Sequence, residues 1–185
     1  MRRLTQVAVL GAIAFTFMYL DFPIPPFPAW LQYDPSEVPA LIATFALGPA
    51  AGVAVELVKG VLIGLLRPGE LGGPFGVFMN LLAGITFVAV AGSYYRVEHS
   101  KAGAVRGMAF AVTAMTAVMI LANITFTPNP PPFGFGLPRA QVITLILPAL
   151  LPFNLLKGVI SSLLTFYVYK RVRAYLYDLG DRAAW

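Results

Sequence analysis

Six stretches of this chain are apolar for long enough to be read as helices in a membrane, and short polar or proline-rich segments separate them. The first covers about 4–20, behind Arg2 and Arg3. The second, about 36–47, opens on Ser36, a good capping residue, and has Pro39 in its first turn, where proline is tolerated. Gly48-Pro49 turns the chain into a third run at about 50–66. The fourth and fifth cover about 75–95 and 104–125. The last covers about 148–173, and Pro148 and Pro152 predict an interrupted or re-entrant start. The intervening loops are 21–35, 67–74 and 126–147. The first and last of these are rich in proline and aromatic residues, which suits a membrane interface. Ala12-Ile13-Ala14 imitates a leader cleavage site. The apolar run continues through Phe15, Phe17, Met18 and Leu20, however, so a retained first helix is expected.

Composition strengthens this reading. Of 185 residues, 58% are hydrophobic and 11% charged, whereas a soluble domain has about 25% charged residues. Mean hydropathy is +0.78. Such a chain has too little charge to cover a water-soluble globule. The expectation is one all-α transmembrane domain, 1–185, embedded in the lipid bilayer, with no length left for a soluble catalytic domain.

The net charge of +5 has an explanation in topology and calls for no nucleic-acid partner. With the N-terminus in the cytoplasm, the inner side carries Arg2, Arg3, Arg96, Lys101, Arg106, Lys170, Arg171, Arg173 and Arg182. The outer side carries only Arg67 and Arg139, with four acids, Asp21, Asp34, Glu37 and Glu70. Six spans then leave both termini cytoplasmic. The chain has no cysteine and one histidine, His99, which excludes thiolate chemistry and a multi-histidine metal centre. No phosphate-binding loop or nucleophile elbow is present, so this chain is not expected to hydrolyse ATP, and uphill movement of a solute would draw on another protein or an ion gradient.

The informative residues are polar ones inside the apolar runs, where a lysine costs about 2.5–3.5 kcal/mol at mid-bilayer. Lys59 follows Glu56 by three residues, Lys157 follows Asn154 by three, and each pair shares a helix face. Asn80 and Asn123 join them at one depth near the outer surface, beneath the two proline-aromatic loops. The result resembles a polar pocket open to the outside, with a lid. The alternative is structural: Glu56 and Lys59 neutralise one another along one helix, and the asparagines join helices. On the first helix Ala8 and Ala12, with Gly11 between, form a small-residue patch for either internal packing or docking.

These residues bring a family into view. The chain resembles the substrate-binding S components of bacterial energy-coupling factor transporters, most closely the riboflavin-specific members. The matching stretches are Phe22-Pro23-Ile24-Pro25, Asp34-Pro35-Ser36-Glu37-Val38-Pro39-Ala40-Leu41-Ile42, Phe45-Ala46-Leu47-Gly48-Pro49 through Lys59, Gly73-Pro74-Phe75 through Asn80 to Gly84, and Leu151-Pro152-Phe153-Asn154-Leu155-Leu156-Lys157-Gly158. The resemblance implies a six-helix bundle in the bacterial plasma membrane with its vitamin site on the extracytoplasmic side. It implies no cofactor and no enzymatic turnover. It also implies docking through Ala8 and Ala12 onto a transmembrane coupling subunit that carries two ATPases. Riboflavin offers a flat ring for apolar walls, and hydroxyls and carbonyls for amides and cations. Asn123, Asn154 and Lys157 are then expected to hydrogen-bond the ligand, with Asn80 and Lys59 in support and Asp34 at the mouth. Glu56, Tyr33, Trp30 and Phe27 complete the candidate set. The two lysines also admit flavin mononucleotide. The competing readings are an S component for folate, thiamine or pantothenate, and a small intramembrane enzyme built on Glu56 and Lys59.

Overall fold

The computed structural model describes residues 2–68 and 72–179. Glu70 and Arg182, which enter the charge argument, lie outside the described residues. Helix α1 (Arg2–Phe17) ends in a single 3-10 turn, Met18–Leu20. The loop that follows contains a two-residue antiparallel pairing, β1 (Phe22–Pro23) with β2 (Gln32–Tyr33), which the hydrophobic pattern did not predict. Then come α2 (Glu37–Leu47), α3 (Pro49–Leu66), α4 (Gly73–Val97) and α5 (Lys101–Phe126). A short α6 (Arg139–Thr144) lies in the segment expected to be loop. A π-helical turn, Ile146–Leu150, leads into α7 (Leu151–Leu179).

Five of these segments are long and apolar enough to cross a bilayer: Arg3–Leu20, Pro49–Leu66, Gly73–Val97, Lys101–Phe126 and Ile146–Arg171. α2 differs from them. Its eleven residues reach about 16 Å, roughly half the thickness of the hydrocarbon core. Every residue from Glu37 to Phe45 is buried, because α2 is packed among α1, α3, α4 and α7. An element with no lipid-facing stripe gains its stability from neighbours and can be short.

Close approach around α2 depends on glycine. Gly48 has φ +103 at the α2–α3 turn, a conformation that favours glycine. A Cβ on Gly52 would collide with Thr44 Oγ1, and one on Gly92 would meet Thr44 Cγ2 and Pro49. At the far end of the chain, Leu150 N–H donates to Leu145 O at 2.9 Å. This i to i−5 bond is the form taken by the interruption expected around Pro148 and Pro152.

The main core joins α1 to α5 through residues such as Ala14, Leu41, Val55, Phe87 and Met115. A smaller cluster of Leu31, Val142, Ala149, Leu150 and Phe153, with Phe27 and Trp30 against it, ties the β1–β2 loop to the α6–α7 junction. That second cluster roofs one end of the bundle.

Candidate functional site

A cavity of about 100 Å³ lies beneath this roof. Its polar lining comes from Gln32 and Asp34 of the first loop, Asn80 of α4, Asn123 of α5, and Asn154 and Lys157 of α7. Its apolar walls are Trp30 and Leu31 from the loop, Phe75 and Met79 from α4, Met119 from α5, and Phe153 from α7. The second proline-rich loop adds Phe135, whose ring packs edge-on against Phe75 at 5.0 Å and lies 5.8 Å from Trp30. Apolar walls with a few fixed polar groups are the usual make-up of a small-molecule site.

The polar groups form a connected relay. Lys157 Nζ lies 3.0 Å from both Asp34 Oδ2 and Glu37 Oε1. Asn80 Nδ2 donates to Asp34 Oδ2 at 3.2 Å. The Ser36 hydroxyl donates to Asp34 Oδ1, and the Ser36 N–H does so at 3.1 Å. Lys59 Nζ donates to Ser36 Oγ at 2.9 Å and pairs with Glu56 Oε2 at 2.6 Å. Glu37, Glu56 and Lys59 are fully buried. Such groups persist in an apolar bundle only when paired and hydrogen-bonded. The set holds three carboxylates and two ammonium groups, so it carries one negative charge in excess when all are ionised. Lys157 also joins α7 to the first loop and to α2, elements more than a hundred residues away in sequence.

The amides leave acceptors available. Asn123 and Asn154 each spend their Nδ2 on a carbonyl of their own helix, Met119 O at 2.8 Å and Leu150 O at 2.7 Å. Asn123 Oδ1 accepts from Thr127 at 3.0 Å. Asn80 Oδ1 has no partner among the described residues. With Asn154 Oδ1, these oxygens suit a ligand that presents hydroxyl and N–H donors.

Burial raises a carboxyl such as that of Asp34. The Lys157 and Lys59 ammonium groups and the Ser36 hydroxyl more than reverse this, bringing it from its usual 3.8 to about 2. The folded value is depressed, so this group's stabilisation is fully present above about 3.8 and is lost as pH falls through about 2. The Tm difference between wild type and Asp34→Asn is therefore expected to stay constant from pH 5 to 8 in thermal unfolding scans, and to shrink in acid. A difference that collapses near neutral pH contradicts the ion-pair assignment.

Six residues of the sequence-derived set line the cavity: Asn154, Lys157, Asn123, Asn80, Asp34 and Trp30. Four do not. Lys59 and Glu56 lie behind it, one link further along the relay, and their mutual pair is the self-neutralisation weighed above. Tyr33 is buried with its ring edge-on to Phe22 at 5.7 Å, and Phe27 packs edge-on against Phe153 at 5.5 Å. Phe27 belongs to the roof, and Tyr33 stands on β2. Sequence reasoning missed Glu37, counted there among the acids of the outer side, and Ser36, read as a helix cap. Ser36 makes no capping bond to α2. Its hydroxyl links Lys59 to Asp34.

Ala8 and Ala12 are exposed on α1, while Gly11 and Ala14 are buried against the bundle. The internal-packing alternative therefore fails for the two alanines and holds for Gly11, where a Cβ would come within 2.6 Å of Val58 Cγ1.

Known proteins share this architecture. Residues 2–169 match the family described as "ECF transporter, substrate-specific component". The chain is 35% identical to the "Riboflavin transporter RibU" of Staphylococcus aureus (strain TCH60) over 95% of its own length and 92% of the relative's. It is 30% identical to the "Riboflavin transporter FmnP" of Bacillus subtilis (strain 168), over 95% and 94%. A solved structure described as "Structure and mechanism of the S component of a bacterial ECF transporter" superposes with a TM-score of 0.79 at 35% identity, covering 95% of this chain and 97% of that one. The relatives are transporters and not enzymes, and this multi-pass membrane chain belongs to the family of substrate-specific S components of ECF transporters.

Proposed function

We propose that this chain captures riboflavin as the S component of an energy-coupling factor transporter in a bacterial plasma membrane. The observation that carries the reading is the roofed cavity, where three asparagines and the Asp34–Lys157 pair meet walls of Trp30, Phe75, Phe135 and Phe153. Two relatives named riboflavin transporters, aligned over nearly the whole chain, support the choice of vitamin. The cavity's 100 Å³ is below the roughly 300 Å³ at which drug-sized sites begin, so ligand entry requires the roof to lift. Phe27, Trp30 and Leu31 of the roof stand on the first loop, and loops move more readily than spans do.

In this reading α2 completes six membrane-embedded helices and both termini are cytoplasmic. The Lys and Arg residues Arg3, Arg96, Lys101, Arg106, Lys170 and Arg171 fall on turns and ends away from the cavity, in support of an extracytoplasmic site. Ala8 and Ala12 dock on the transmembrane coupling subunit, and two separate ATPases supply the energy.

The direct test is the visible absorbance of the detergent-purified protein and the identity of what denaturation releases. Release of a flavin, or quenching of added riboflavin fluorescence that folate, thiamine and pantothenate fail to reverse, supports the reading. A colourless protein that leaves riboflavin fluorescence unchanged overturns it.

The charge inventory also sets a preference within flavins. Lys157, the one cation in the cavity wall among the described residues, is already paired with Asp34 and Glu37, so a phosphate finds no free cation there. Flavin mononucleotide is expected to bind at least about tenfold more weakly than riboflavin, a difference of about 1.4 kcal/mol. Fluorescence titration with each ligand measures it, and equal affinities would contradict the inventory.

A further inference from the structure

At the end of the bundle opposite the ligand cavity, α5 and α7 leave a second, larger opening. A groove of about 500 Å³ runs between them, with Val105 and Val112 on α5 and Val159 and Leu163 on α7. Leu163 is 65% exposed and Val105 51%, so the groove faces the lipid phase. Met108 and Phe166 are shared with an adjoining cavity of about 250 Å³, which is differently lined. Its walls include Lys101 and Ser100 at the start of α5, His99 just before it, and Thr165 and Tyr169 of α7. The two spaces are thus one path, oily toward the bilayer centre and polar toward the helix ends.

Charge along the path is positive at its polar end. Lys101 is exposed there, and the nearby carboxylate of Glu98 is already held by Arg106 Nη1 at 3.0 and 3.1 Å. The N-terminus of α5 adds the positive end of a 26-residue helix. Thr165 is 1% exposed, and its hydroxyl has no partner among the described residues, so a polar group in that cavity gains a hydrogen bond.

The geometry points to a resident anionic phospholipid, its acyl chain in the α5–α7 groove and its phosphate headgroup beside Lys101, Ser100 and Thr165. A zwitterionic lipid fills the groove equally well and lacks the net charge that Lys101 selects. This site is separate from the vitamin cavity and does not depend on the ligand assigned there.

Native mass spectrometry of the full chain, equilibrated with equimolar phosphatidylglycerol and phosphatidylcholine of identical chains, tests it. One retained phosphatidylglycerol is expected, with a preference of about fivefold over phosphatidylcholine, the effect of one lysine near the headgroup. Lys101→Glu should abolish the preference while retention continues. Leu163→Trp, at an exposed position that does not disturb the core, should abolish retention of both lipids. Both variants should quench riboflavin fluorescence like wild type, or, should the vitamin assignment fail, unfold at the wild-type temperature. Glycerol 3-phosphate at millimolar concentration should not displace the lipid, because the groove holds the chain. Equal retention of the two lipids by wild type overturns the proposal. So does an unchanged preference in Lys101→Glu, retention in Leu163→Trp, or displacement by the soluble phosphate.

Discussion

Lys157→Ala is expected to abolish measurable riboflavin binding and to lower stability by about 3–5 kcal/mol, the cost of leaving a buried ion pair without one partner. Lys157 is the only ammonium within 4 Å of both Asp34 and Glu37 among the described residues. Without it the Asp34 and Glu37 carboxylates lose the cation they share. They respond by taking up protons or by moving apart, and either response removes the ionic tie between the first loop and α7 and leaves only the apolar roof contacts. Affinity should fall at least about hundredfold, or about 2.7 kcal/mol, since the loop carrying Gln32 and Asp34 forms part of the cavity wall. Thermal unfolding and fluorescence quenching measure the two effects separately. The triple variant Asp34→Asn, Glu37→Gln, Lys157→Met tells a scaffold from a ligand contact. Replacing a whole buried ionic group by neutral residues of similar size is often neutral for stability. The triple variant should therefore regain stability and remain unable to bind. Recovery of both properties would reduce the relay to a strut and leave recognition to the asparagines.

The relay also shows where sequence reasoning ends. Spans were legible because desolvation of a polar backbone leaves few solutions in a bilayer, and long apolar runs announce them. Lys157 and Asn154 were legible for a related reason: a lysine inside such a run needs a partner, and a neighbour three residues away shares its face. The identity of the partner was not legible. Asp34 lies 123 positions away, in a loop whose path depends on β1 pairing with β2 and on the roof cluster around Leu31 and Phe153. Glu37 carried a misleading signal, an acid next to a proline-rich loop on the more acidic side. Only the burial of α2 on all faces turns it inward. Lys59 was correctly read as polar and buried, but its depth alone could not say that Ser36 and Glu56 stand between it and the cavity. The bounds of α2 were legible to within a residue of Glu37–Leu47, but its burial on all sides was not, because that comes from contacts that leave no periodic mark in the sequence.

In the proposed function the two faces of α1 have separate tasks, and the second large effect follows from that. Its inner face packs on α3, where Gly11 lets the backbones approach and Val58 fills the space a Cβ would take. Its outer face presents Ala8 and Ala12 beside exposed Leu4, Val9 and Ile13. In lipid no hydrophobic force brings helices together, so association depends on close packing at small residues. Replacing both alanines by tryptophan inserts bulk where the proposed coupling subunit docks. At about 1–3 kcal/mol for each overpacked position, coupling-subunit affinity should fall at least about thirtyfold, and vitamin uptake in cells should fall with it. The cavity lies at the end of the bundle capped by the first loop and α6–α7, with the tryptophans on a lipid-facing surface, so riboflavin quenching by the purified variant should match wild type. Gly11→Ala should behave in the opposite way, lowering the melting temperature of the isolated protein because the new Cβ would meet Val58 Cβ at 2.9 Å, an atom that moves only with its helix. Wild-type uptake by the double tryptophan variant would remove the docking role from α1. Loss of riboflavin binding in that variant would mean that the outer face contributes to the fold, and the separation of tasks along this helix would fail.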